Sequence, residues 1–346
     1  MKRIVLTGGG TAGHCTPHFA LIEKLRNHFD KIYYIGSIEG IEKRLVTEKG
    51  IPYYEIPTVK LKRSLAPSNL KIPFLLLGSV NSAKKILKEL SPSVVFSKGG
   101  FVGLPVTIAS KKLKIPVVIH ESDLSLGLAN KIASRFADLT LTTFHETAKS
   151  VKNGVCVGSP IRRELFLGNR ENSLKKYWFS SDKPTLLITG GSTGAKSINE
   201  LVLSTVNELV KKFNVLHVVG KGNLTNTFIN RYFQTEFTDM KNAYAVADIC
   251  VSRAGSNTLF ELISLKIPTL LIPLPKGASR GDQIENAEHF YKKGLVNYIL
   301  QEKLTPKTFL YEIEKLYNDS ASLKAKLKSA NVTPGNNKII DILTKY

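Results

Sequence analysis

The sequence predicts an α/β fold of two Rossmann-like, doubly wound domains with a cleft between them. Three observations predict it. Apolar runs of strand length alternate with helix-length segments almost throughout. A strand, a glycine turn and a helix follow one another twice, at residues 2–29 and 184–212. A length of 346 residues suits about two domains of ordinary size. In such a pair, substrate lies at the carboxyl ends of the strands.

Taken in order, KRIVLT, KIYYIGS, PYYEIPT, SVVFS, PVVIH and DLTLTT read as strands, being apolar and rich in β-branched and aromatic residues. Helices are expected near 14–29, 39–49, 72–90, 101–113, 125–136 and 143–150. Residues Ile161 to Lys183 are polar and lack a period, so they read as the interdomain connection. The pattern restarts at PTLLIT, followed by GGSTGAKSIN. NVLHVVG, DICVS, PTLLIP and VNYIL supply further strands, with helices near 194–212, 241–247, 257–265, 283–293 and 304–317. KIIDILTKY reads as a last helix after the Pro334-Gly335 break. The expected domains are 1–160 and 161–335, with helix 336–346 packing back on the first.

Hydrophobic content of 42% and charged content of 22% are ordinary for a soluble globular protein. No apolar run approaches the roughly 20 residues that span a bilayer. Ile4-Val5-Leu6 is too short for the core of a signal peptide, so a cytoplasmic protein is expected. Three scattered cysteines, Cys15, Cys156 and Cys250, read as free thiols, not a disulfide framework. The net charge of +21 implies an anionic partner. From Thr58 to Val118 there are eleven Lys or Arg and one acid, Glu89.

TGGGTAGH, residues 7–14, satisfies G-x-G-x-x-G through Gly8, Gly10 and Gly13. Its glycines permit a tight turn and close approach of amides to an anion. A dinucleotide site also wants an acid at the end of the second strand. Gly36 and Ser37 stand there instead, so no nicotinamide cofactor is expected. His14 and His18 share a helix face, but no third ligand has metal-site spacing, and no metal is assigned. His14, at the helix start, suits proton transfer.

ITGGSTGAKSIN repeats the cradle, with Ser192 and the amides around Gly191 and Thr193 suited to phosphate. SKGGFVGLP is a further glycine turn after a strand. VIHESDLSLGLANK puts His120, Glu121 and Asp123 at a strand's carboxyl end, where Ser122, Asp123 or Ser125 is a candidate helix cap. In VSRAGSNTLFELISLKIPTLLIP, Glu261 is expected in about the first helical turn, where it can accept two ribose hydroxyls. GDQIENA adds Asp282, Gln283 and Asn286, side chains suited to sugar hydroxyls. D-x-D, G-x-S-x-G and the Walker lysine are all absent.

TGGGTAGHCTPHFAL, FSKGGFVGLP, IHESDLSLGLANK, GSPIR, TGGSTGAKSIN and SRAGSNTLFE with GDQIENA follow one another at intervals that resemble the MurG family over nearly the whole chain. The resemblance implies a GT-B architecture without a required metal or cofactor. It implies inverting transfer of GlcNAc from UDP-GlcNAc to the 4-hydroxyl of MurNAc-pentapeptide on undecaprenyl diphosphate (lipid I), giving lipid II. Thr11, Ala12 and Gly13 then form a loop near donor sugar and acceptor. Arg162 and the backbone near Phe237 read uracil, and Ser192 approaches the phosphates. Glu261 holds the ribose, Ser256, Asn257, Thr258, Leu259 and Phe260 line nucleotide and sugar, and Gln283 contacts GlcNAc. Asp123 stands where many members have Asn, so it can accept a sugar hydroxyl or act as a base.

Direct displacement needs a general base, and His14 is the first candidate, since imidazole titrates near the operating pH; Asp123 is the second. Leu65, Leu70, Ile72, Phe74, Leu75 and Leu77 lie among Lys60, Lys62, Arg63, Lys71, Lys84 and Lys85. This window, 60–85, suits an anionic membrane surface and predicts a peripheral protein on the cytoplasmic face. The alternatives are a diacylglycerol galactosyltransferase type of enzyme and a UDP-GlcNAc epimerase. A nucleic-acid binder would explain the charge but not the glycine loops, and no nucleic acid is expected.

Overall fold

The computed structural model describes residues 1–58, 72–191 and 194–346. The chain divides into two compact units, one of Met1–Arg162 with Pro334–Tyr346, the other of Arg163–Thr333.

The first unit runs β1 (Arg3–Thr7), α1 (Ala12–Leu25), β2 (Lys31–Ser37), α2 (Ile41–Thr47), β3 (Tyr53–Ile56), α3 (Ile72–Leu90), β4 (Val94–Ser97), α4 (Gly100–Lys112), β5 (Val117–Glu121), α5 (Leu128–Ala133), β6 (Leu139–Thr142), α6 (His145–Lys149) and β7 (Gly154–Cys156). Its seven strands are parallel in the order β3-β2-β1-β4-β5-β6-β7. A parallel sheet is covered on both faces, so alternate side chains enter different cores. Ile4 and Leu6 join one with Leu21, Tyr34 and Phe96; Val5 joins the other with Ile35, Val95 and Ile119. The strand order reverses between β1 and β4, which opens a crevice at their carboxyl ends.

The second unit begins with a 3-10 turn at Arg163–Leu167 and α7 (Arg170–Lys176). It continues through β8 (Thr185–Thr189), α8 (Lys196–Lys212), β9 (Asn214–Val218), β10 (Tyr232–Thr235), α9 (Met240–Val246), β11 (Ile249–Ser252), α10 (Ser256–Ser264), β12 (Thr269–Leu271), α11 (Asp282–Lys292), β13 (Asn297–Tyr298), α12 (Pro306–Asn318) and α13 (Ser320–Ser329). The sheet is again parallel, ordered β10-β9-β8-β11-β12-β13, with the switch between β8 and β11. Its core gathers Leu186, Ile188, Val202, Val206, Phe309 and Ile313.

The last helix, α14 (Asn336–Leu343), belongs to the first unit. Ile339, Ile340 and Leu343 enter the core that holds Leu21 and Leu25. Asn336 locks it there. Its Oδ1 accepts from the Ile161 amide, and its Nδ2 donates to the carbonyls of Ile161 and Ala20, all at 2.9 Å.

Several expectations change. Residues 161–183 are not a free connection, because Leu165, Leu174, Tyr177 and Phe179 are buried in the second unit. Strands β7 and β10 and helix α13 are additions to the sequence reading. Helix α5 starts at Leu128, not near 125, and its N-cap, Gly127, makes no side-chain cap bond.

Candidate functional site

In the first unit, loops after β1, β4 and β5 meet beside the switch point. Gly99 and Gly100 have φ of +82° and +75°, a region costly for residues with a Cβ. A Cβ on Gly99 would also strike the Asn130 side chain, and one on Gly100 would strike the Gly9 carbonyl and lie 3.4 Å from His14 Nδ1. The two glycines therefore let the β4 loop pack directly on the β1 loop. Thr11 is the N-cap of α1 but makes no side-chain cap bond; its hydroxyl instead pairs with His14 Nδ1 at 2.9 Å. Thr11 and Gly13 are exposed and His14 is half-buried.

The β1 loop is not an open phosphate cradle. The fully buried Glu42 carboxylate accepts from the Gly10 and Ser37 amides, each at 3.2 Å, and from the Ser37 hydroxyl. A carboxylate in that place repels a second anion. His18 is core. It is fully buried and stands edge-on to Tyr34 and Phe96, with centroids 5.4 Å away. Burial lowers its pKa to about 3, so it stays neutral.

The HESD segment divides its roles. Glu121 is a hub: its carboxylate accepts from the amides of Ser122 (2.9 Å), Asp123 (3.0 Å) and Gly127 (3.1 Å) and from Asn130 Nδ2 (3.0 Å). This network, not a Ser or Asp side-chain cap, shapes the turn before α5. His120 is fully buried, with Nε2 at 3.0 Å from the Gly158 carbonyl and Nδ1 at 2.6 Å from Lys98 Nζ. Burial and the Lys98 charge drive its pKa well down. Both ring nitrogens are engaged, so His120 is no base. Asp123, by contrast, is half-buried beside this turn.

In the second unit the loop after β8 leads to α8, whose N-cap, Ala195, makes no side-chain cap bond. Ser192 and Thr193 lie outside the described residues. After β11, Gly255 opens α10. Glu261 sits in the second turn of that helix, not the first, and its Oε2 accepts from the Tyr244 hydroxyl at 2.9 Å. Gln283 Oε1 accepts from the Leu274 amide at 3.1 Å, which turns the Nε2 donor toward Gly255. Asn257 and Thr258 are half-buried. Ser256 and Leu259 are buried, and Phe260 is buried edge-on to Phe290. The Leu259 amide donates to the Gly255 carbonyl at 3.0 Å, so the expected lining role of Leu259 and Phe260 does not hold: both are taken up by the helix and the core behind it. Phe237 is exposed, and Arg162 is half-buried at the end of the first unit's main segment.

Three residues beside these loops carry no role in the sequence reading: Lys98, Tyr244 and Arg253. Arg253 is buried at the end of β11, donating to Ile272 and Pro273 carbonyls, Ser197 Oγ and Gln301 Oε1. The available signal was position: Lys98 and Arg253 each directly follow a buried strand and precede the glycine turn.

Two parallel sheets with glycine loops at both switch points define the architecture, the GT-B fold of glycosyltransferases, and the family matches give the class. Residues 4–142 match the glycosyltransferase family 28 N-terminal domain and residues 185–341 the family 28 C-terminal domain. The chain is 44% identical to a UDP-N-acetylglucosamine–N-acetylmuramyl-(pentapeptide) pyrophosphoryl-undecaprenol N-acetylglucosamine transferase of Clostridium tetani, covering 100% of this chain and 98% of that one. It is 45% identical to a transferase of the same description, numbered 2, from Bacillus cereus, over 96% of each. A solved structure of Acinetobacter baumannii MurG superposes with a TM-score of 0.78 at 25% identity, over 100% of both chains. The chain belongs to the MurG family.

Proposed function

We propose that this protein transfers GlcNAc from UDP-GlcNAc to the 4-hydroxyl of MurNAc-pentapeptide on undecaprenyl diphosphate, with inversion, to give lipid II. The end-to-end match to transferases of that printed activity carries the reading. The second unit binds the donor. Glu261, fixed by Tyr244, accepts ribose hydroxyls, and Gln283 donates through Nε2 to a GlcNAc oxygen. The amides at the start of α8, with Ser192, take the diphosphate and stabilise charge on the leaving UDP. Arg162 and the backbone at Phe237 read uracil. Ser256, Asn257 and Thr258, at the start of α10, line nucleotide and sugar.

The first unit binds the acceptor. Thr11, Ala12 and Gly13 form the wall, and His14 is the base. When Nδ1–H donates to Thr11 Oγ1, the lone pair lies on Nε2, which takes the 4-hydroxyl proton as the oxygen attacks the anomeric carbon and UDP departs. Asp123 is the second candidate base and otherwise accepts a sugar hydroxyl.

The lipid carrier is reached from a membrane surface, with the protein peripheral on the cytoplasmic face. Helix α3 supports this: Phe74 is 77% exposed and Leu75 and Leu77 about half exposed, while Val80, Ala83 and Leu87 face the core. Lys85 is exposed on the same helix. Of the rest of the window, Lys60, Lys62, Arg63, Leu65, Leu70 and Lys71 lie outside the described residues, as does the side chain of Ile72. No helix among the described residues is long and apolar enough to cross a membrane. Incubation with labelled UDP-GlcNAc and a lipid I analogue tests the function. UDP release that requires this acceptor is expected; release to diacylglycerol, or epimerised donor, would replace the reading with an alternative.

A further inference from the structure

The strongest unassigned feature is a buried cation under the acceptor half of the site. Lys98, at the carboxyl end of β4, is 2% exposed. Its Nζ lies 2.6 Å from His120 Nδ1 and 2.6 Å from Ser122 Oγ. His120 is fixed in turn by the Gly158 carbonyl at 3.0 Å, which holds Nε2–H as donor and leaves Nδ1 as acceptor. The ammonium thus joins the β4 loop, strand β5 and the HESD turn. Burying a lone ammonium costs several kcal/mol unless charge and hydrogen bonds compensate. The acids whose charge favours the ammonium are Glu121 and Asp123. Glu121 is consumed by three amides and Asn130. Asp123 joins that hub through its amide, and its carboxylate is the second acid whose charge acts on the ammonium.

We propose that Lys98 is a positioning residue for the lipid-linked acceptor: its ammonium, tied to Ser122 and His120, offsets the charge of Glu121 and Asp123 and sets the turn that presents Asp123. Lys98 is too buried to touch substrate and acts through the turn. The inference rests on the acceptor reading given above.

The test is a double-mutant cycle on the full-length protein with UDP-GlcNAc and a lipid I analogue. Lys98→Met should lower kcat/KM for the acceptor about 10- to 100-fold, the scale of a misplaced reacting group, while donor KM stays within about twofold. Lys98→Met with Asp123→Asn should recover at least threefold over Lys98→Met alone, because one of the two carboxylates that the ammonium offsets is then gone. Lys98→Gln keeps a donor without the charge and replaces Lys98→Met if that variant does not fold; it should show the same acceptor defect and the same relief by Asp123→Asn. Equal loss on donor and acceptor terms, strictly additive effects in the cycle, or a Lys98→Gln protein with wild-type acceptor kinetics would overturn the proposal while leaving the function intact. A wild-type protein that releases no UDP with the acceptor would remove the functional reading, and this inference with it.

Discussion

The Tyr244 hydroxyl fixes one oxygen of Glu261, and in the proposed role that contact orients an acid in the second turn of α10 to accept ribose hydroxyls. Hydrogen bonds to a charged group contribute about 1.5–3 kcal/mol, so Glu261→Ala should raise donor KM roughly 10- to 100-fold with kcat less affected. His14→Ala should instead lower kcat by about 10²–10⁴-fold at saturating substrates; steady-state rates near wild type would end the base assignment. Lys98 carries a pH signature. Burial lowers its pKa from the ordinary value of 10.5 to about 7. Between these two values the unfolded chain holds the proton and the folded chain has lost it. Unfolding then takes up a proton, so this group makes stability rise as pH climbs from about 7 towards 10.5. The charged and titratable groups coupled to it are His18, His120, Glu121 and Asp123. Both histidines are held neutral by burial and add no proton change in that window. Denaturant melts of wild type and Lys98→Met across pH 6.5–10 should show their stability difference moving in favour of wild type with rising pH; parallel curves would refute the assignment.

The elements that were legible are those whose pattern is local. Strands such as VVFS and TLLIT are short, largely apolar and followed by glycine turns, and they match the sequence expectation. Helix α3 spans the expected residues 72–90, although only its packing separates exposed Phe74, Leu75 and Leu77 from buried Val80, Ala83 and Leu87. The three-residue edge strand β7 carries too little pattern to read, and α7 hides its apolar contacts among charged residues. The turn before α5 was illegible for another reason: a buried carboxylate from the preceding strand organises it, and nothing local marks Glu121 as different from Asp123. The three-loop junction likewise depends on non-local fit, Gly100 against Gly9 and Gly99 against Asn130. Helix α3 carries its own prediction. Phe74→Asp with Leu77→Asp should cut co-sedimentation with anionic vesicles at least tenfold while the melting temperature stays within a few degrees, since burying each side chain in the interface supplies about 1.5–3 kcal/mol. Unchanged binding would move the membrane contact elsewhere.

Across the whole molecule the chain crosses between its units twice, near residue 162 and near residue 333, and the second crossing makes the first unit depend on the last helix. Pro334-Gly335 is readable as a break, but the sequence does not say that Asn336 will hold the backbone of Ile161 and Ala20. Ile339, Ile340 and Leu343 are each buried to 4% exposure or less against α1. At about 1.5–3 kcal/mol per buried side chain, these three contribute on the order of 5–9 kcal/mol, comparable with the entire stability of many domains. The Asn336 bonds add about 1–3 kcal/mol for each buried backbone group left unpaired without them. The second unit makes no such use of α14. A chain ended after Thr333 should therefore lose hydrogen-exchange protection in α1 and in strands β1 and β2, while β8 and β11 stay protected. It should also still show a thermal shift with UDP, because the residues proposed for uracil, ribose and diphosphate all lie between 163 and 333 apart from Arg162. Asn336→Ala should do the same in milder form, lowering the first unit's melting transition and sparing the second. If truncation instead removed protection from both sheets together, the two units would fold as one cooperative body, and the second unit would owe its stability to the helix that completes the first.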